Sequence, residues 1–86
     1  MKKLYIVYGE SGEYDEHREY DVIGYFDREE AEKHKLAAQQ VADQIYIKQQ
    51  KNILKNFKNK YDEYHSGPYH VTYDIFELEI GEKFKP

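Results

Sequence analysis

At 86 residues the chain suffices for one small domain, near the size at which a single core only just holds. Cysteine is absent, which excludes disulfide staples, thiolate metal sites and thiol nucleophiles. Charged residues make up 35% and the mean hydropathy is -1.03, with a net charge of -4. Ten tyrosines and four phenylalanines nevertheless argue against a disordered chain, because tyrosine buries a ring while its hydroxyl stays wet.

The first element expected is a strand, Leu4-Tyr5-Ile6-Val7-Tyr8, rich in β-branched and aromatic residues and closed by Gly9. It is far too short to span a bilayer or form a signal core, and no later apolar run is longer. A soluble, cytoplasmic protein without a membrane segment is therefore expected. Arg18 to Phe26 reads as a second strand. The polar stretch GESGEYDEH between the two makes a hairpin with a long loop rather than a tight turn.

Asp27 then stands at a candidate helix N-cap, with Glu30 three residues later at capping-box spacing. From Arg28 to about Tyr64 there is neither glycine nor proline, and Ser66-Gly67-Pro68 ends the run. Ala31, Ala38, Ala42 and Ile45 share one stripe, which Leu36 and Ile47 fall outside. Ile53, Leu54, Phe57, Tyr61 and Tyr64 share another, rotated from the first. Between the stripes lies Lys48-Gln49-Gln50-Lys51-Asn52, without an apolar residue. Two helical segments or one kinked helix are predicted over a straight rod.

Tyr69 to Ile80 reads as the last strand. Its apolar alternation changes phase between Ile75 and Phe76, which predicts a bulge near Asp74 to Phe76 or cover on both sides. The whole is one α+β domain over residues 1–86, of order β-β-α(α)-β. A right-handed crossover sets the last strand antiparallel to the first, giving a three-stranded antiparallel or mixed sheet of order 2-1-3. The long or kinked helical segment covers one face, and the other face stays partly open.

Charge is segregated along the chain. Carboxylates crowd Gly9 to Glu32 against Arg18 and Arg28 alone, whereas lysines fill Lys33 to Lys60 against Asp43 alone. Lys48, Lys51, Lys55 and Lys58 fall on one helical stripe, the pattern a phosphate backbone would favour. A solvated helix face is the commoner meaning of such a stripe, and no glycine-rich phosphate loop accompanies it.

Glu10, Glu13, Asp15, Glu16 and Glu19 surround Tyr14 in the hairpin. Their spacing does not match a calcium loop. They form the best candidate for a partner-binding surface, against the plainer meaning of a solvated tip. His65 and His70 bracket Ser66-Gly67-Pro68, but not at zinc-site spacing. His17 and His34 show no evident partner. Ser11 and Ser66 read as turn residues rather than nucleophiles, so no catalytic constellation, cofactor or metal is expected.

The run YIVYG…YDVIGYFDREEAEKH, with YDIFELEI near the end, resembles a loose class of small uncharacterised bacterial and phage proteins. These share a hairpin, a VIG-x-F-(D/S)-x-x-E-x-A-like helix start and a final strand. Here the glutamate and alanine after Asp27 stand closer together than in that pattern. The resemblance implies packing by Val22, Ile23, Phe26 and Ala31, a close approach at Gly24 and capping by Asp27, and it carries no catalytic residue. It also implies a phage or mobile-element origin, while the small charged domain with its acidic hairpin and second aromatic helical stripe leads to the expectation of a host or defence protein as target. The expected function is non-enzymatic binding of another macromolecule, with nucleic-acid binding through the lysine stripe as the alternative. Self-association as a homodimer is expected through Ile53, Leu54, Phe57 and Tyr61, which need a cover.

Overall fold

The computed structural model describes residues 2–12, 15, 17–51, 57–65 and 70–80. Its elements are β1 (Lys2–Ser11), β2 (Arg18–Tyr25), α1 (Arg28–Gln50) and β3 (Thr72–Ile80). They form an antiparallel sheet of order β2-β1-β3 with the helix on one face, the topology read from the sequence.

The helix begins where the cap requires. Asp27 is extended, with φ -109° and ψ 122°, and its carboxylate accepts the N–H of Glu29 at 2.9 Å. Glu29 and Glu30 add negative charge to the first turn. Ala31, Ala38, Ala42 and Ile45 are buried, so the first predicted stripe is the face that meets the sheet. Leu36 and Ile47, outside that stripe, remain largely exposed. The helix stops at Gln50, within the apolar-free run, with Lys51 at its C-cap.

The expected second helical segment is not found over 57–65, which folds into turns; residues 52–56 lie outside the described residues. Asn59 Oδ1 accepts the N–H of Tyr61, and Asp62 Oδ1 accepts the N–H of Tyr64, each at 3.0 Å. These are two successive Asx turns, in which short polar side chains satisfy the backbone locally and displace the helix.

The predicted bulge is also elsewhere. β1 and β3 pair without interruption, whereas Val7 faces Ile23 and Tyr8 faces Asp21, so Val22 is the extra residue and the bulge belongs to β2. It turns Tyr20 rather than Asp21 toward the helix, and both Val22 and Ile23 pack against the core. The phase change in β3 has another cause. Val71, Tyr73 and Ile75 lie under the helix, beyond which Phe76 and Leu78 occupy the opposite face, which no described element covers.

Candidate partner-binding surface

Strand register arranges the uncovered face in rows, since directly paired residues share a side. Ile80 pairs with Lys2, and Leu78 with Leu4. Phe76, Ile6 and Gly24 form the next row, then Asp74, Tyr8 and Asp21, then Thr72, Glu10 and Glu19. Leu4 lies over Gly24, where an added Cβ would meet its Cδ1 at 3.2 Å, and the rings of Tyr8 and Phe76 stand 5.6 Å apart. Phe76 and Leu78 are 40% and 46% exposed. Among the described residues the face thus runs from Lys2, through an apolar middle, to a carboxylate end where Lys35 of α1 approaches Asp74 at 3.6 Å.

The electrostatics follow the rows. The Tyr8 hydroxyl is pushed above its ordinary range first by desolvation, then by the charges of Asp74, Glu19 and Glu10. Glu10 and Glu19 face each other directly, and His17 contacts Glu10 at 2.8 Å. Asp15 is exposed, while Glu13, Tyr14 and Glu16 lie outside the described residues. The acids predicted from the sequence therefore reach the sheet at Glu10 and Glu19. Asp21, beside the same loop, joins them across from Tyr8, and the register adds Asp74 on the other side of Tyr8.

Elsewhere the predicted groups are dispersed. Because α1 ends at Gln50, Lys48, Lys51 and Lys58 do not share a helical face, and Lys55 lies outside the described residues. Lys48 and Lys58 instead flank a shallow groove of 460 Å³ over Val41, Ile45 and Phe57. Of the expected self-association residues, Ile53 and Leu54 lie outside the described residues. Phe57 packs on the His65 ring, with centroids 4.8 Å apart, and Tyr61 packs against the core, so both are engaged within their own chain.

A buried polar cluster fixes the segment 57–65 to the sheet. Tyr20 from β2 and Tyr73 from β3 both donate to Oδ2 of Asp62 at 2.6 Å. Asn59 donates to the Ala38 carbonyl at 3.3 Å. His34 donates through Nε2 to the Tyr61 carbonyl at 2.6 Å, which leaves Nδ1 to accept the Tyr25 hydroxyl at 2.9 Å. Burial, reinforced by the bond to the Asp62 carboxylate, raises both Tyr20 and Tyr73 far above their ordinary range. They stay protonated near neutral pH, so neither offers a phenolate base or nucleophile. With three donors on its carboxylate and almost no exposure, Asp62 reads as a clamp rather than a reactive acid. The sequence signal was the repeated spacing Asn59-x-Tyr61, Asp62-x-Tyr64, masked there by its helix-friendly surroundings.

His70 pairs with Asp43 and not with His65. Among the described residues no three histidine or acidic side chains come together to hold a metal ion. Nor is any described helix long and apolar enough to cross a membrane. No protein-family model, curated protein or solved structure matches the chain.

Proposed function

We propose that this is a non-enzymatic binding protein that docks a basic, partly apolar segment of another protein on the uncovered face of its sheet. One observation carries the proposal: the apolar rows around Ile6 and Phe76 run without a break into a row where Asp21 and Asp74 flank Tyr8. Apolar area supplies affinity once buried, and the carboxylate end steers and orients a cationic partner. A second copy of the chain fits poorly, since it would bring more carboxylates to a face whose described cations are Lys2 at one end and Lys35 of α1, already 3.6 Å from Asp74.

The test is capture of a partner on folded bait, followed by titration of that purified partner. Leu78→Ser should weaken binding at every salt concentration. The triple amide Glu10→Gln, Glu19→Gln, Asp21→Asn should weaken it mainly at low salt. A partner that binds both variants as tightly as the parent, or no specific partner at all, overturns the proposal. Duplex DNA binding that falls steeply with salt and vanishes on Lys48→Glu with Lys58→Glu would favour nucleic-acid recognition instead.

A further inference from the structure

Among the described residues, the outer edge of β3 is closed along half its length and open along the rest. Gln39 reaches from α1 to accept the N–H of Tyr73 at 2.9 Å and to donate to the carbonyl of Val71 at 3.0 Å. Its amide thereby does what a peptide group of a neighbouring strand would do. The next outward N–H, that of Ile75, is taken by the carboxylate of Asp74 at 2.8 Å. In an antiparallel ladder alternate residues turn their backbone groups outward, so Glu77 and Glu79 follow in the series. No hydrogen bond from a described residue reaches their outward groups.

The open half-edge coincides with the uncovered apolar face. Phe76, Leu78 and Ile80 lie on that side, and Glu77 and Glu79, both exposed, lie on the other. Lys3 stands opposite Glu79 and 3.7 Å from Glu77, leaving one carboxylate charge in excess there. β2 differs, because its bulge at Val22 interrupts the strand in the way natural edges are blunted. Among the described residues β3 carries no bulge beyond Ile75, and its edge there is guarded by the charges of Glu77 and Glu79.

We propose that the outer edge of β3 over Glu77 to Ile80 takes up an extended segment of a partner protein as a fourth strand, with basic and apolar residues alternating along it. Apolar side chains of that strand continue the rows of Phe76 and Leu78, while lysines or arginines face Glu77 and Glu79. Charge selects this occupant over a second copy. Two β3 edges paired antiparallel about Leu78 would set Glu77 of each against Glu79 of the other. The inference rests on the uncovered face being a partner site, and adds that the partner pairs through its backbone.

The probe is a capped hexapeptide of alternating lysine and valine, compared with one of the same composition arranged as a lysine block and a valine block. Binding of the alternating peptide should slow amide exchange of Glu77 and Glu79 by about tenfold, leaving Tyr73 and Ile75 unchanged. Methylating the peptide nitrogens at one set of alternate positions should abolish binding, and at the other set should not. Glu79→Pro should abolish it too, since that N–H takes no part in the β1 ladder and proline is tolerated at such edge positions. If this variant does not fold, the methylated peptides decide alone. If peptide binding is lost in Leu78→Ser but indifferent to both methylation sets, the partner docks on the face and edge pairing is wrong. Should the alternating peptide fail to bind, or bind no better than the blocked one, edge pairing is likewise wrong, while titration of a captured partner separately decides the face.

Discussion

Gly9 leaves the space that the ring of Tyr20 occupies: a Cβ at Gly9 would stand 2.9 Å from Cζ of Tyr20. Gly9 pairs with Tyr20 on one side and Tyr73 on the other, so the bare position in the central strand lets the Tyr20 ring lean over β1 toward Asp62. Gly9→Ala should therefore destabilise the fold by about 1–3 kcal/mol, the usual cost of overpacking. The same change made in a Tyr20→Ala background should cost clearly less, a coupling measurable by denaturant unfolding of the double-mutant cycle. Equal costs in both backgrounds would mean that the ring moves aside freely.

Asp62 is the common acceptor for two strands. Asp62→Asn replaces one acceptor oxygen with a donor and leaves a buried tyrosine hydroxyl facing an amide, at a cost of about 1–3 kcal/mol. Tyr73→Phe keeps the Asp62 carboxylate and its bond from Tyr20, loses the bond to Asp62 and the long 3.5 Å bond accepted from Asn59 Nδ2, and should cost about 0.5–1.5 kcal/mol. Chemical denaturation ranks the two, and the reverse order would show that Asp62 is not the hub of the clamp.

These two relationships mark where the sequence ceased to be legible. The alanine stripe of α1, the Asp27 cap and the strand order follow from local spacing and chain direction, so they were readable in advance. The Val22 bulge was not, because its signal is a register shift against β1 rather than a pattern within β2. The turns at 57–65 were hidden for a related reason. Asn59 and Asp62 break a helix only when their side chains find local backbone donors and, for Asp62, the distant hydroxyls of Tyr20 and Tyr73. The acidic row on the sheet was half legible: Glu10 and Glu19 stood out in the hairpin, but Asp74 joins them only through pairing with Tyr8.

Alkaline pH should unfold the protein through its buried tyrosines. Burial and then the Asp62 carboxylate raise Tyr20 and Tyr73 well above 10, their ordinary value in an unfolded chain. Their contribution to stability is complete below pH 10 and is lost progressively as pH rises toward the folded values, because only the unfolded chain ionises there. Denaturation midpoints should fall above about pH 10. Tyr73→Phe should flatten that fall, and an unaltered slope would assign the effect elsewhere.

Asp27→Ala should cost about 0.5–2 kcal/mol by freeing the N–H of Glu29, whereas Asp27→Ser should restore most of it. Thermal unfolding of the pair separates loss of the cap from loss of a charge. A serine variant as weak as the alanine variant would assign the effect to the charge.

Glu19 offers the sharpest separation of stability from binding. It stands directly across from Glu10, and like charges in that relation destabilise a strand pair. His17 relieves this only in part, since its contact is with Glu10 and lies at the surface. Glu19→Gln should then stabilise the fold by about 0.2–1 kcal/mol, an effect that shrinks as salt screens the pair. The same substitution removes one carboxylate from the row that is proposed to meet a basic partner, so association should slow at low salt. Paired measurements of unfolding and of partner association on this one variant would therefore move in opposite directions. A variant no more stable than the parent would show that His17 already neutralises the pair. One that is more stable yet associates at the parental rate would remove Glu19 from the binding surface.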